Sequence, residues 1–147
     1  MKHLLKNIFL AEDDNDDVLF FKLALQDISA DCNLTVFSNG QELISRLKES
    51  GDVPDILFLD INMPILNGLD TLKRVREFPA LRSLPVVVYS TSSSELDIRQ
   101  AEENGAGHYM VKPCNMDKLR EVIERMLTYD WKNHRVLQES EEFVIRG

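Results

Sequence analysis

Four short, nearly continuous apolar runs constrain this chain more than any other feature: Ile8-Phe9-Leu10-Ala11, Ile56 to Leu59, Val86-Val87-Val88-Tyr89 and Tyr109-Met110-Val111. Runs that are apolar on both faces suit parallel strands covered by helices on two sides. A fifth candidate, Leu34-Thr35-Val36-Phe37, is weaker and partly alternating. Stripes of helical period lie between the runs. Val18, Phe21, Leu25 and Ile28 make the first, Leu43, Ile44 and Leu47 the second, and Leu69, Leu72 and Val75 the third. Ile98 and Ala101 sit in a polar helix, Ser94 to Asn104, that Gly105 terminates. Leu119, Val122, Ile123 and Met126 form the last stripe, with Asn115 as N-cap. Strand and helix thus alternate five times, which argues for an α/β fold with a parallel sheet. Right-handed crossovers put helices on both faces. Five units are too few for a closed eight-stranded barrel, so the expectation is an open, doubly wound five-stranded sheet.

A chain of 147 residues with 44% apolar content is expected to form one domain with a sizeable core. The formal net charge of −8 disfavours a nucleic-acid backbone as partner, because phosphates would be repelled. Cys32 and Cys114 have neither metal-like nor redox-like spacing and read as free thiols. The opening MKHLLKNIFLAEDD is too short and too quickly acidic for a signal segment, and no later run reaches transmembrane length. A cytoplasmic protein with no membrane partner is the resulting expectation.

In open α/β sheets, ligands bind beyond the carboxyl ends of the strands. Strand one ends in Glu12-Asp13-Asp14, strand three in Asp60, strand four in Ser90-Thr91 and strand five in Lys112-Pro113. Each has an ordinary reading. The run from Glu12 to Asp17 taken alone is a solvated helix start, Asp60 and Ser90 taken alone are turn or cap residues, and Lys112 taken alone is a solvated cation. Their coincidence at predicted strand ends is what carries weight. Clustered carboxylates repel one another, and a hard divalent cation such as Mg²⁺ removes that repulsion. A carboxylate can also be a nucleophile that forms an aspartyl phosphate. A metal, a lysine and a hydroxyl can share the charge of a transferring phosphoryl group.

Glu12-Asp13, Asp60 with Asn62-Met63-Pro64 and Gly68, Ser90-Thr91, and Lys112-Pro113 occur in an order and spacing that resembles the receiver domain of bacterial two-component response regulators. The likeness covers about residues 5 to 128 and is nearest in kind to a stand-alone chemotaxis receiver. It implies a flavodoxin-like sheet of order 2-1-3-4-5. It implies that Asp60 accepts phosphate from a sensor histidine kinase or a phosphotransfer protein. Asp13 and Asp60 would be direct Mg²⁺ ligands and the Asn62 backbone carbonyl a third, with Glu12 acting through water. Lys112 would pair with Asp60 and later with the phosphoryl group. Ser90 would be the hydroxyl that meets that group and Tyr109 the switch aromatic that moves with it. The Lys112–Pro113 bond would be cis. Glu12 departs from the commoner Asp, Asp14 reads as a helix-start residue, Thr91 as a side chain narrowing access to Asp60, and Cys114 as a small buried hydrophobe.

The expected function is a switch that catalyses its own phosphoryl transfer and dephosphorylation rather than an enzyme acting on a separate substrate. Output would go to a downstream protein, not to DNA, through the face of helix 4, strand 5 and helix 5. Two rivals stand beside it. A receiver-like adaptor that never gains phosphate would not need the intact Glu12, Asp13, Asp60 and Lys112 set. A phosphohydrolase usually carries a second acid two residues past its nucleophile, where this chain has Asn62. Domain organisation is read as a receiver at 1–128 and a C-terminal extension at 129–147 with no separate output domain. Trp131, Val136, Leu137, Phe143, Val144 and Ile145 give that extension too much apolar surface for a disordered tail. It is expected to pack on the receiver or on a second copy as a homodimer, with Phe143-Val144-Ile145 as a short strand or docking segment. A frayed terminus is the equal alternative.

Overall fold

The structure, a computed structural model, describes residues 5–29, 31–128, 131 and 143–145. Its strands are β1 (Asn7–Ala11), β2 (Asn33–Phe37), β3 (Ile56–Leu59), β4 (Val86–Ser90), β5 (His108–Val111) and β6 (Val144–Ile145). Its helices are α1 (Asn15–Ile28), α2 (Gly40–Ser50), α3 (Gly68–Glu77), α4 (Glu95–Glu103) and α5 (Met116–Thr128). All strand pairs are parallel, and the sheet order is β2-β1-β3-β4-β5-β6. The expected 2-1-3-4-5 order is therefore present, but the sheet has six strands and not five. The sixth comes from the C-terminal extension and covers the backbone donors and acceptors that β5 would otherwise leave at an open edge. The rest of that extension, Val136 and Leu137 included, lies outside the described residues.

Alternation along each strand sorts the core into two layers. Ile8, Leu10, Ile56, Phe58, Val87, Tyr89 and Met110 face α1 and α5, whose Phe21, Leu25, Leu119 and Ile123 close that side. Phe9, Leu57, Leu59, Val86, Val88 and Tyr109 face the other layer, with Leu43 and Leu47 of α2 and Leu72 and Val75 of α3. Fully burying such side chains contributes about 1.5–3 kcal/mol each. The edge strand β2 is only half-buried, which explains its weaker pattern. Helix ends follow local chemistry. The Asp14 carboxylate accepts from the Asp16 and Asp17 amides, and the Asn115 side chain accepts from the Lys118 amide. Gly105, at φ +97°, supplies the left-handed residue just past α4.

Two expectations fail locally. Cys114 is exposed, because it sits in the β5–α5 loop beside the Asn115 cap rather than on a core-facing position. The Lys112–Pro113 bond is trans, since no described bond is cis. Trans is the intrinsically favoured X–Pro isomer by about 0.5–1 kcal/mol.

Ile65 is the one non-glycine with positive φ among the described residues, at 69°. A β-branched residue is strained there. The Leu66 amide donates back to the Pro64 carbonyl at 2.7 Å, closing a very tight turn around it. The Ile65 side chain is 81% exposed and gives little burial in return. Ile65→Gly should therefore raise the urea midpoint, by about 1 kcal/mol of stability, since glycine adopts positive φ without a Cβ clash. A lower midpoint at unchanged m-value would show that the exposed isoleucine is itself stabilising.

Candidate functional site

Backbone hydrogen bonds carry the sheet one step past its strands and hold the site residues there. The Glu12 amide donates to the Phe37 carbonyl at 2.9 Å, Asp60 to Ala11 at 3.0 Å and Lys112 to Ser90 at 2.8 Å. Glu12 follows Leu10 by two, Asp60 follows Phe58 by two and Lys112 follows Met110 by two. All three thus inherit the side of the sheet that faces α1 and α5. Gly68 sets how closely α3 approaches, since a Cβ there would run into the Asp60 carbonyl. Its amide donates to the Ile61 carbonyl at 2.8 Å, closing the β3–α3 loop.

These residues line an open cleft of about 710 Å³ with Asp13, Asp14, Asn15, Asp16, Asp17, Asn62 and Thr91. The Lys112 ammonium lies 2.5 Å from Glu12 Oε1, 2.8 Å from Asp17 Oδ2 and 3.5 Å from Asp60 Oδ2. It also stands over the Tyr89 ring, 5.0 Å from the centroid. The Asn62 amide donates to Asp60 Oδ1 at 3.2 Å. Carboxylate oxygens of Glu12, Asp13 and Asp60 all fall within 4.8 Å of one another. This is a hard-oxygen donor set of the kind Mg²⁺ or Mn²⁺ takes.

The site's electrostatics point the same way. Burial, and then the hydrogen bond and negative charge of Asp60, push the Glu12 carboxyl up to about 7, against the pull of Lys112. Burial opposes the charged form of Lys112, but its bonds to Asp17 and Glu12 and the charge of Asp60 outweigh this and hold the ammonium above the usual lysine range. One cation does not balance the carboxylates around it, and a divalent cation would. Glu12 is thereby left a much weaker acid than an ordinary glutamate.

Glu12, Asp13, Asp60, Asn62 and Lys112 are brought together as expected, and Thr91 lines the same cleft. Asp14 is a helix cap, as its position suggested. Ser90 is wholly buried at the end of β4, and its hydroxyl oxygen accepts from the Ser92 amide at 3.1 Å. Tyr109 is also wholly buried and donates its hydroxyl to the Ser92 carbonyl at 2.9 Å. Ser90 and Tyr109 therefore form a second group joined through the β4–α4 loop. Sequence reasoning missed Asp17 and Tyr89. Asp17 was hidden in an acidic run where any residue reads as solvated; its place in the first turn of α1, above the cleft, is the signal that could have found it. Tyr89 shares the strand face of Val87, two places before the cleft, and so lies under the lysine.

A family model described as the response regulator receiver domain matches residues 8–124. The probable methanogenesis regulatory protein FilR2 of Methanothrix harundinacea is 29% identical over 126 residues, spanning 83% of this chain and 81% of that protein. The crystal structure of the phosphorylated cyanobacterial phytochrome response regulator RcpA superposes with a TM-score of 0.74 at 30% identity, covering 82% of this chain and 89% of RcpA. The Mn²⁺-bound form of the Synechocystis response regulator Rcp1 gives 0.71 at 26% identity, covering 80% and 89%. The chain spans 25% to 40% of longer transcriptional regulators that it also matches.

Cation binding should release the Glu12 proton. Apparent Mg²⁺ affinity should then rise about tenfold between pH 6 and pH 8, with one proton released per ion at the lower pH. Titration calorimetry in buffers of different ionisation enthalpy reads both quantities, and a pH-independent affinity would remove Glu12 from the site. The metal-free protein should show the opposite trend in stability. Its folded Glu12 binds a proton more tightly than the unfolded chain, so that contribution is full below about pH 4.5 and is lost as pH rises through about 7. Asp14→Ala should cost about 1 kcal/mol through the lost cap and leave Mg²⁺ affinity nearly unchanged, whereas Asp13→Ala should weaken the ion strongly. Dominant loss at Asp14 would reverse that assignment.

Proposed function

Because the chain belongs to the response regulator receiver family, we propose that it is a stand-alone phosphoacceptor of a two-component relay, with Asp60 as the acceptor and protein–protein contact as its output. The observation that carries this reading is the Asp60 carboxylate in an open cleft, held at one oxygen by the Asn62 amide and faced at the other by Lys112. A histidine kinase or phosphotransfer protein is the donor. An Asp60 oxygen attacks phosphorus, the P–N bond to the donor imidazole breaks, and the bonding pair stays on the imidazole nitrogen. The product is an acyl phosphate on Asp60. Glu12, Asp13 and Asp60 would hold Mg²⁺, with Asn62 at the same edge; when bound, the ion supplies charge neutralisation for the phosphoryl oxygens. Lys112 supports the same charge from the β5 side.

Lys112 starts in contact with three carboxylates, so it can turn toward the phosphoryl group without crossing the cleft. Thr91 narrows the approach to Asp60. The Ser90 hydroxyl, buried at the end of β4, accepts from the Ser92 amide and also bonds the Tyr109 hydroxyl, so it would have to turn to meet a phosphoryl group. Hydrolysis would return the carboxylate by water attack at phosphorus. The chain therefore catalyses its own modification and its reversal, and turns over no separate substrate. Among the described residues no helix is long and apolar enough to cross a membrane. A cytoplasmic relay protein without DNA contacts fits that observation and the net charge of −8.

Asp60→Asn should abolish acid-labile phosphate after incubation with acetyl phosphate and Mg²⁺, and equal labelling of the variant would end the proposal. Lys112→Ala should fold, because Glu12 can hold a proton and relieve the uncompensated charge. It should label at least tenfold more slowly, or label without the change at Ser90 and Tyr109. Wild-type kinetics together with wild-type partner binding would remove Lys112 from the mechanism.

A further inference from the structure

We infer that Asp17 is a positioning residue of the cleft: it holds the Lys112 ammonium when a divalent ion takes Glu12, Asp13 and Asp60, and so lets two cations share one site. The inference deepens the phosphoacceptor reading and rests on it.

Lys112 and a divalent ion compete for the same oxygens. The ammonium lies 2.5 Å from Glu12 Oε1 and 3.5 Å from Asp60 Oδ2. Both carboxylates belong to the cluster, completed by Asp13, whose oxygens fall within 4.8 Å of one another. An ion seated there would take the charge on which Lys112 now rests, and the two cations would repel at short range. The third partner differs. Asp17 Oδ2 lies 2.8 Å from the ammonium, an ordinary charge-assisted hydrogen bond, yet Asp17 stands outside the cluster. Among the described residues it is the one carboxylate bridged to Lys112 that the ion would leave to it. The Lys112 side chain is only 9% exposed, so water cannot readily replace a lost partner. Burial opposes the charged form of Lys112, and the bond to Asp17 is the largest of the interactions that outweigh it.

Packing, and not the acidic run it belongs to, gives Asp17 this place. The Asp14 carboxylate accepts from the Asp16 and Asp17 amides at 2.8 and 3.1 Å, which fixes the first turn of α1. Phe21 lies one turn further along the same helix face and is wholly buried. Its ring meets Tyr89 edge-on at 5.7 Å, and the Lys112 ammonium stands 5.0 Å from the Tyr89 centroid. The contact of Phe21 with Tyr89 therefore sets Asp17 beside the ammonium that Tyr89 carries. Asp16, one residue earlier, lines the same cleft but does not bridge to Lys112. Either acid attracts a divalent ion by its charge. Asp17 also takes the ammonium out of the ion's way.

The test measures Mg²⁺ affinity by titration calorimetry on the full chain, with no phosphodonor present. Asp16→Asn reports the loss of one acid from the cleft, and Asp17→Asn reports that loss together with release of the ammonium. Asp17→Asn should weaken Mg²⁺ about tenfold more than Asp16→Asn does, within the usual coupling of contacting charges. Asp17→Glu, which keeps the carboxylate, should recover most of that loss. In a Lys112→Ala background the excess should vanish, so that the two asparagine variants cost the same. Equal losses with Lys112 present, no recovery in Asp17→Glu, or an excess that persists without Lys112 overturns the inference and leaves the phosphoacceptor reading in place. A wild type that binds no Mg²⁺ overturns the metal-assisted reading and the inference with it. Should Lys112→Ala fail to fold, the three single variants decide: Asp17→Asn must lose more than Asp16→Asn, and Asp17→Glu must not.

Discussion

The Lys112 ammonium ties together more of this molecule than any other single group. It reaches β1 through Glu12, α1 through Asp17 and β3 through Asp60, and it rests over Tyr89 of β4. Taking one of these charges out of water alone would be costly. Placed together, they compensate incompletely, because three carboxylates surround one cation. Burial and the neighbouring Asp60 carboxylate together push the Glu12 carboxyl up to about 7. The cleft is thus built for a state it reaches only with added positive charge. A divalent ion would supply that charge, and a phosphoryl group on the proposed acceptor Asp60 would then meet both an ion and an ammonium.

Much of this arrangement was legible in the chain. The nearly continuous apolar runs announced parallel strands, and the helical stripes between them announced crossovers. The period of two does further work. Continued past each strand, it sets Glu12, Asp60 and Lys112 on the layer of α1 and α5, and sets Ser90 and Tyr109 on the other. Gly68 is legible in retrospect for a steric reason. The chain must bring the start of α3 against the Asp60 backbone, and only a residue without Cβ allows it.

What escaped the sequence has physical causes. Asp17 is one acid among several, and only the direction of α1 over the cleft separates it from its neighbours. Cys114 looked like a core residue because it is small and apolar, but a loop position decided its exposure. The Lys112–Pro113 isomer was implied by likeness alone, and no residue type encodes it. The sixth strand was read in part, since Phe143-Val144-Ile145 suggested a short strand or docking segment but not the edge it would join. Phe143, Val144 and Ile145 are too few to show a period. Their pairing depends on an unsatisfied edge at β5, which belongs to the tertiary structure and not to the segment itself.

That dependence also bears on where the segment sits. The sheet has a second edge at β2, where the residues between Asn33 and Phe37 are only half-buried. A strand added there would lie beside neither Tyr109 nor Lys112. At β5 it lies against the strand that carries both, one on each layer. Tyr109 reaches the β4–α4 loop, and Lys112 reaches the carboxylates. The occupant of this edge is held by His108, Tyr109 and Met110 of the strand that leads into Lys112. The position of the added strand thus sets a two-residue element beside the strand that leads directly into Lys112, which faces a carboxylate at the end of another strand.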